Sequence, residues 1–135
     1  ELRSVFLLGW VMDTAGHIWV DRKNTDSALK SLQKAKESLM LMPRSILLFP
    51  EGTRTRNGLL ASFKPGGVLI SVDTNMPIVP IAFVGTFEKL EPESWSMDNN
   101  PVELRIGKPI SSKGYSVETR RELANYVRDQ VEKLQ

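Results

Sequence analysis

The run Ser45-Ile46-Leu47-Leu48-Phe49, closed by Pro50, constrains the fold of this sequence more than any other stretch. A short apolar segment of this kind reads as a strand buried on both faces, as found inside an α/β sheet. Proline cannot donate to a sheet ladder, so Pro50 stops it. Glu51, Gly52, Thr53 and Arg54 follow at once. Ligands of open α/β sheets gather at the loops past the carboxyl ends of strands. Glu51 and Arg54 therefore stand where binding or chemistry takes place. Arg56 and Lys64 are close in sequence, so three cations gather around one strand end. Guanidinium forks match phosphate oxygens in pairs, and the cluster reads first as a phosphate site. The competing reading is a solvated loop with a local Glu51–Arg54 ion pair. Spacing alone leaves the two level.

The rest of the chain alternates helix and strand. Leu2 to Ala15 has a helical pattern so apolar that it is either buried or rests on something apolar. Burial is the commoner case, with a membrane interface anchored by Trp10 as the sharper one. After Gly16, His17-Ile18-Trp19-Val20 reads as a strand ending in Asp21-Arg22. Asn24, Thr25 and Asp26 offer caps for a helix to about Met42, with an apolar stripe of Ala28, Leu32, Ala35, Leu39 and Met42. Asn57-Gly58 signals a turn. Gly66 and Gly67 lead into a short helix, Val68 to about Thr74, and either let an anion approach its amino end or pack helix on sheet. Met76 to Val84 reads as a buried strand in which Pro80 marks a bulge or an edge. Glu88 to Pro101 reads as a surface loop, and Val102, Leu104 and Ile106 as one face of a half-exposed strand. A scaffold helix runs from Ser116 to about Leu134. The order α-β-α-β-α-β-β-α predicts an α/β fold, a mainly parallel sheet flanked by helices, forming a single domain over residues 1–135.

Composition narrows the function. A net charge of +2, without runs of like charge, gives no footprint for nucleic acid. The chain has no cysteine and one histidine, which disfavours a zinc site and excludes thiolate chemistry. It contains no phosphate-binding Gly-x-x-x-x-Gly-Lys loop, no dinucleotide fingerprint and no Gly-x-Ser-x-Gly nucleophile. No apolar run approaches the roughly 18 residues of a membrane span. The first residue is Glu1, and an apolar helical pattern begins almost at once without a cap, the expected look of a C-terminal portion of a longer protein.

Three blocks stand in one order: Gly16-His17-Ile18-Trp19-Val20-Asp21-Arg22, Phe49-Pro50-Glu51-Gly52-Thr53-Arg54 and Pro77-Ile78-Val79-Pro80-Ile81. Together they resemble the glycerolipid acyltransferase family, most closely the 1-acyl-sn-glycerol-3-phosphate acyltransferases, over about Leu2 to Ile110. The resemblance implies a glycerol-3-phosphate acyltransferase-like fold. It implies transfer of an acyl group from acyl-CoA or acyl carrier protein, a co-substrate rather than a bound cofactor, to lysophosphatidate, forming phosphatidate in phospholipid synthesis. It also implies a full-length protein associated with the cytoplasmic face of a membrane. Carried over residue by residue, Arg54 binds the substrate phosphate, Glu51, Gly52 and Thr53 shape the loop, Asp21 and Arg22 assist from a second strand end, and Pro80 lies by the acyl channel. The family's catalytic His-x-x-x-x-Asp pair is not matched: the fifth residue after His17 is Arg22. No residue of this chain is therefore expected to be catalytic, and the chain alone is expected to be inactive. The alternative is a non-catalytic lysophospholipid- or anion-binding module of the same fold.

Overall fold

The computed structural model describes residues 10, 11, 14, 25–42, 44–89, 99 and 101–135. The chain divides into two compact units, Glu1–Arg44 and Ser45–Gln135. The strand expected at His17–Val20, the residues Asp21 and Arg22, and most of the loop expected before Pro101 lie outside the described residues.

In the first unit, Thr25–Leu41 forms helix α1. Its expected stripe is realised at Ala35 and Leu39, both buried, while Met42 beyond its end is exposed. Trp10 and Val11 are 67% and 48% exposed, so these two residues do not have the burial favoured for the first apolar segment. Nothing among the described residues covers their face.

The second unit holds helix α2 (Leu69–Thr74), strand β1 (Ile81–Val84), the helical turn α3 (Thr86–Lys89), strand β2 (Glu103–Ile106) and helix α4 (Arg120–Glu132). Its core joins Phe63, Val68, Ala82 and Ile110 to Leu123, Ala124, Val127 and Val131. The last four come at steps of one, three and four on α4, the spacing of a helix laid on a sheet. The helix starts at Arg120, not Ser116. Ser116 N–H donates to Thr119 Oγ1 at 2.8 Å, and Ser116 Oγ donates to Glu118, so side-chain bonds hold this segment in a turn before the helix.

The described sheet is the antiparallel pair β1–β2, with Ile81 opposite Ile106 and Phe83 opposite Leu104. Pro80 precedes β1 and has no N–H to give; its carbonyl accepts from Gly107 N–H at 2.9 Å. Farther out, Ile78 bridges Ile110, so the opposite chain carries one extra residue around Gly107–Pro109. This is the bulge that a proline in a strand anticipates.

Three expectations need correction. The buried strand read over Met76–Val84 forms only at Ile81–Val84, and Val79 and Phe83 are exposed. Ser45–Phe49 carries no ladder bond among the described residues, and Leu47, Leu48 and Phe49 are exposed rather than buried on both faces. Their side chains form a wall of an open groove, which leaves them uncovered. Strand β2 is present, but the face turned inward is the other one. Arg105 is half-buried opposite the buried Ala82, whereas Val102, Leu104 and Ile106 are exposed. Arg105 reaches the end of the C-terminal helix, donating to the Leu134 and Gln135 carbonyls at 2.9 and 2.7 Å. Those bonds satisfy carbonyls that a helix end leaves without partners.

Candidate functional site

The chain reverses directly after the apolar run. Gly52 N–H donates to the Phe49 carbonyl at 3.1 Å, closing a turn with Pro50 and Glu51 at its corners. Gly52 has φ of 71°, a left-handed conformation that an L side chain adopts only with strain. The Lys64 side chain also lies across it: a Cβ on residue 52 would sit 2.8 Å from Lys64 Nζ. The left-handed φ is what calls for glycine, since the flexible end of Lys64 could move aside.

Long-range backbone contacts then close the loop. Lys64 N–H donates to the Pro50 carbonyl at 2.9 Å. The Glu51 carboxylate accepts the Ala61 N–H through Oε2 at 2.8 Å. Within the loop, the expected Asn57-Gly58 turn is built by Asn57 Oδ1, which accepts from Leu59 N–H at 3.2 Å and Thr55 Oγ1 at 3.1 Å.

The Glu51 carboxylate accepts a backbone amide, and no Glu51–Arg54 ion pair is formed among the described residues. Arg54, Arg56 and Lys64 make no ion pair among the described residues. Three cations whose charge is not neutralised by a neighbouring carboxylate suit an anionic ligand.

The loop borders a groove of about 960 Å³ within the second unit. Ile46–Phe49 and Val79–Phe83 wall it with apolar side chains, and Glu51, Thr53 and Arg54 also line it. The groove thus offers apolar surface with the Arg54 guanidinium at its edge, matching an amphiphile with an anionic head. Of the residues expected at the site, Glu51, Thr53, Arg54 and Pro80 come together around this groove, and Gly52 shapes its loop. Asp21 and Arg22 lie outside the described residues.

At the amino end of α2, two backbone N–H groups are taken up within the chain. Gly67 N–H donates to Lys64 O, and Leu69 N–H to Gly66 O. A Cβ on residue 67 would lie 3.7 Å from Leu48 Cδ1, so this glycine packs against the groove wall. Among the described residues, no group of three or more His, Asp or Glu side chains could hold a metal.

One element of the site escaped the sequence reading. The Arg128 guanidinium, from α4, donates to the Leu60 and Ala61 carbonyls at 3.1 and 3.2 Å. No local pattern announces a contact across 68 residues.

The known proteins similar to this chain include acyltransferases. The Acyltransferase family model matches residues 1–84. The 1-acyl-sn-glycerol-3-phosphate acyltransferase of Haemophilus influenzae is 34% identical over 94% of this chain and 51% of its own length. That of Saccharomyces cerevisiae is 32% identical over 97% of this chain and 44% of its own length. The crystal structure of the 1-acyl-sn-glycerophosphate (LPA) acyltransferase PlsC from Thermotoga maritima superposes with a TM-score of 0.76 at 29% identity, over 99% of this chain and 54% of that one. The chain thus spans about half the length of the relatives it matches. In sequence over most of its length, and in fold, the chain belongs to the acyltransferase family.

Proposed function

We propose that the protein containing this chain transfers an acyl group from acyl-CoA or acyl carrier protein to the free hydroxyl of a 1-acylglycerol 3-phosphate, forming phosphatidate. The observation that carries this reading is Arg54, which lines an apolar groove and makes no ion pair among the described residues. The rim takes the phosphate of the lysolipid, and the apolar walls around Pro80 take an acyl chain. The acceptor oxygen attacks the thioester carbonyl while a general base removes its proton, and the thiol leaves. This sequence has no His-x-x-x-x-Asp pair to serve as that base, so residues beyond these 135 supply it. The acyl donor is consumed as a co-substrate, and no cofactor takes part. No helix among the described residues is long and apolar enough to cross a membrane. The full-length protein would meet its lipid substrate from the cytoplasmic membrane surface.

The test is acyl transfer by the full-length protein with lysophosphatidate and each donor, beside its Arg54→Ala variant. Removing a charge-assisted bond to a charged group costs about 1.5–3 kcal/mol, a rise in acceptor KM of roughly 10- to 150-fold. Turnover with an unchanged acceptor KM in the variant would remove Arg54 from the site. The missing His-x-x-x-x-Asp pair favours a second reading, a lysophospholipid-binding module without chemistry. Saturable binding by the full-length protein without turnover is the result that would select it.

A further inference from the structure

Arg128 belongs to the last helix, which lies beyond the family-model match and which the sequence alone marks as scaffold. Its guanidinium nonetheless makes four directed contacts. Nη1 and Nη2 donate to Glu132 Oε2 and Oε1 at 3.1 and 3.2 Å, a two-pronged pair one helical turn on. Nη2 also reaches the Leu60 carbonyl at 3.1 Å, and Nε reaches that of Ala61 at 3.2 Å. Glu132 fixes the plane of the fork, and the buried neighbour Val127 ties the helix to the core. The fork therefore stands on a rigid element.

The Leu60 carbonyl and the Ala61 N–H are the two ends of one peptide group. Arg128 holds the oxygen end, and the Glu51 carboxylate accepts from the nitrogen end at 2.8 Å. A cation on the carbonyl draws electron density toward the oxygen and makes the N–H a better donor. An anion on the N–H in turn makes the carbonyl a better acceptor, so the two charges reinforce one another through the peptide. Glu51 is three residues before Arg54, within the same turn.

From this chain of contacts we infer that Arg128 is a positioning residue for the anion-binding loop. It clamps the Leu60–Ala61 peptide so that Glu51 stays on the Ala61 amide and Arg54 stays uncommitted beside the groove. This rests on the reading of the Arg54 loop as the site of the acceptor phosphate. Arg128 does not touch the substrate. Its fork geometry is what matters, since a lysine ammonium is a point charge that cannot hold two carbonyls and a carboxylate in one plane.

The experiment uses the full-length protein and its Arg128→Ala and Arg128→Lys variants, with thermal unfolding to confirm that each is folded. Amide exchange at Ala61, measured without substrate, is expected to quicken by about tenfold or more in Arg128→Ala while α4 amides stay protected. The KM for lysophosphatidate is expected to rise by about tenfold, with kcat and acyl-donor KM within about twofold. Arg128→Lys is expected to recover only part of either effect. In an Arg54→Ala background, Arg128→Ala is expected to add less than about twofold to the acceptor KM, because both act on one contact. Additive losses, equal rises in both KM values, or full rescue by lysine would overturn the inference. Should the protein not use lysophosphatidate at all, the substrate reading fails, and Ala61 exchange alone decides the role of Arg128. Unaltered exchange there would end it.

Discussion

Two acid–base neighbourhoods in the second unit look alike in sequence and behave oppositely. Glu103 and Arg105 are two apart on β2, so their side chains fall on one face and pair at 2.7 Å. Arg105 has further partners in the Leu134 and Gln135 carbonyls, and its charge is satisfied within the fold. Glu51 and Arg54 sit instead in a turn, where the chain reversal sends the carboxylate to the Ala61 amide, ten residues on. The acid is satisfied by backbone and its cationic neighbour is left over. An acid and a base close in sequence do not predict an ion pair; the backbone between them decides. Here the acid takes a main-chain amide and makes no ion pair among the described residues, which leaves Arg54 for a ligand.

The largest effect that separates the two neighbourhoods is expected from removing the acids. Glu51→Ala takes a charged partner from the exposed Ala61 amide, a loss of about 1.5–2 kcal/mol, the low end for a bond to a charged group. Urea unfolding of the full-length protein should show it, together with a raised acceptor KM. Glu51→Gln keeps a carbonyl oxygen for the same amide, so it should retain most of the stability. Equal damage from glutamine and alanine would mean that the charge of Glu51 serves Arg54 after all, and the contrast with β2 would collapse.

Gly52→Ala should come next. A left-handed residue with a side chain costs about 1–2 kcal/mol, and the new methyl group would have to displace the Lys64 ammonium from 2.8 Å. The expected readouts are a lowered unfolding midpoint and weaker binding of glycerol 3-phosphate by titration calorimetry. Unchanged binding would show that the position of Lys64 does not matter to the anion. By contrast, Glu103→Gln removes an exposed pair and should shift the melting temperature by less than about 2 °C, leaving acceptor KM unchanged.

The local parts of this site were legible in the sequence. Pro50 and Gly52 announce the turn, Asn57-Gly58 announces the next one, and Pro80 announces the bulge beside Gly107. The helical stripes were readable because period and burial agree, as at Leu123, Val127 and Val131. What could not be read was anything that depends on partners far along the chain. Arg128 and the Leu60–Ala61 peptide are a contact of this kind. Strand β2 misled for a different reason. Alternation says which residues share a face, but burial falls on the face that meets the helix, and here that face carries Arg105 and its bonds to the chain end. Ile46–Phe49 was misread because a continuous apolar run describes a groove wall as well as a buried strand.

The smallest expected effect is also the cleanest check on the β2 side of the contrast. The Arg105 hydrogen bond holds the Glu103 carboxyl below its ordinary value of 4.5, with the guanidinium charge adding to it and partial desolvation opposing. The folded protein therefore binds the Glu103 proton more weakly than the unfolded chain does. The pair contributes its stability in full above the unfolded value and loses it as pH falls through the depressed folded value. Exposure keeps that contribution slight. A carbon-detected NMR titration of the Glu103 carboxyl should accordingly give a midpoint below 4.5 in the native protein, rising toward 4.5 when Arg105 is changed to glutamine. Added salt should move the native midpoint only a little, because the hydrogen bond outranks the through-space charge. A midpoint that ignores Arg105 would show that closeness on one strand face does not by itself make a pair, and β2 would then join the turn at Gly52 as a place where acid and base act apart.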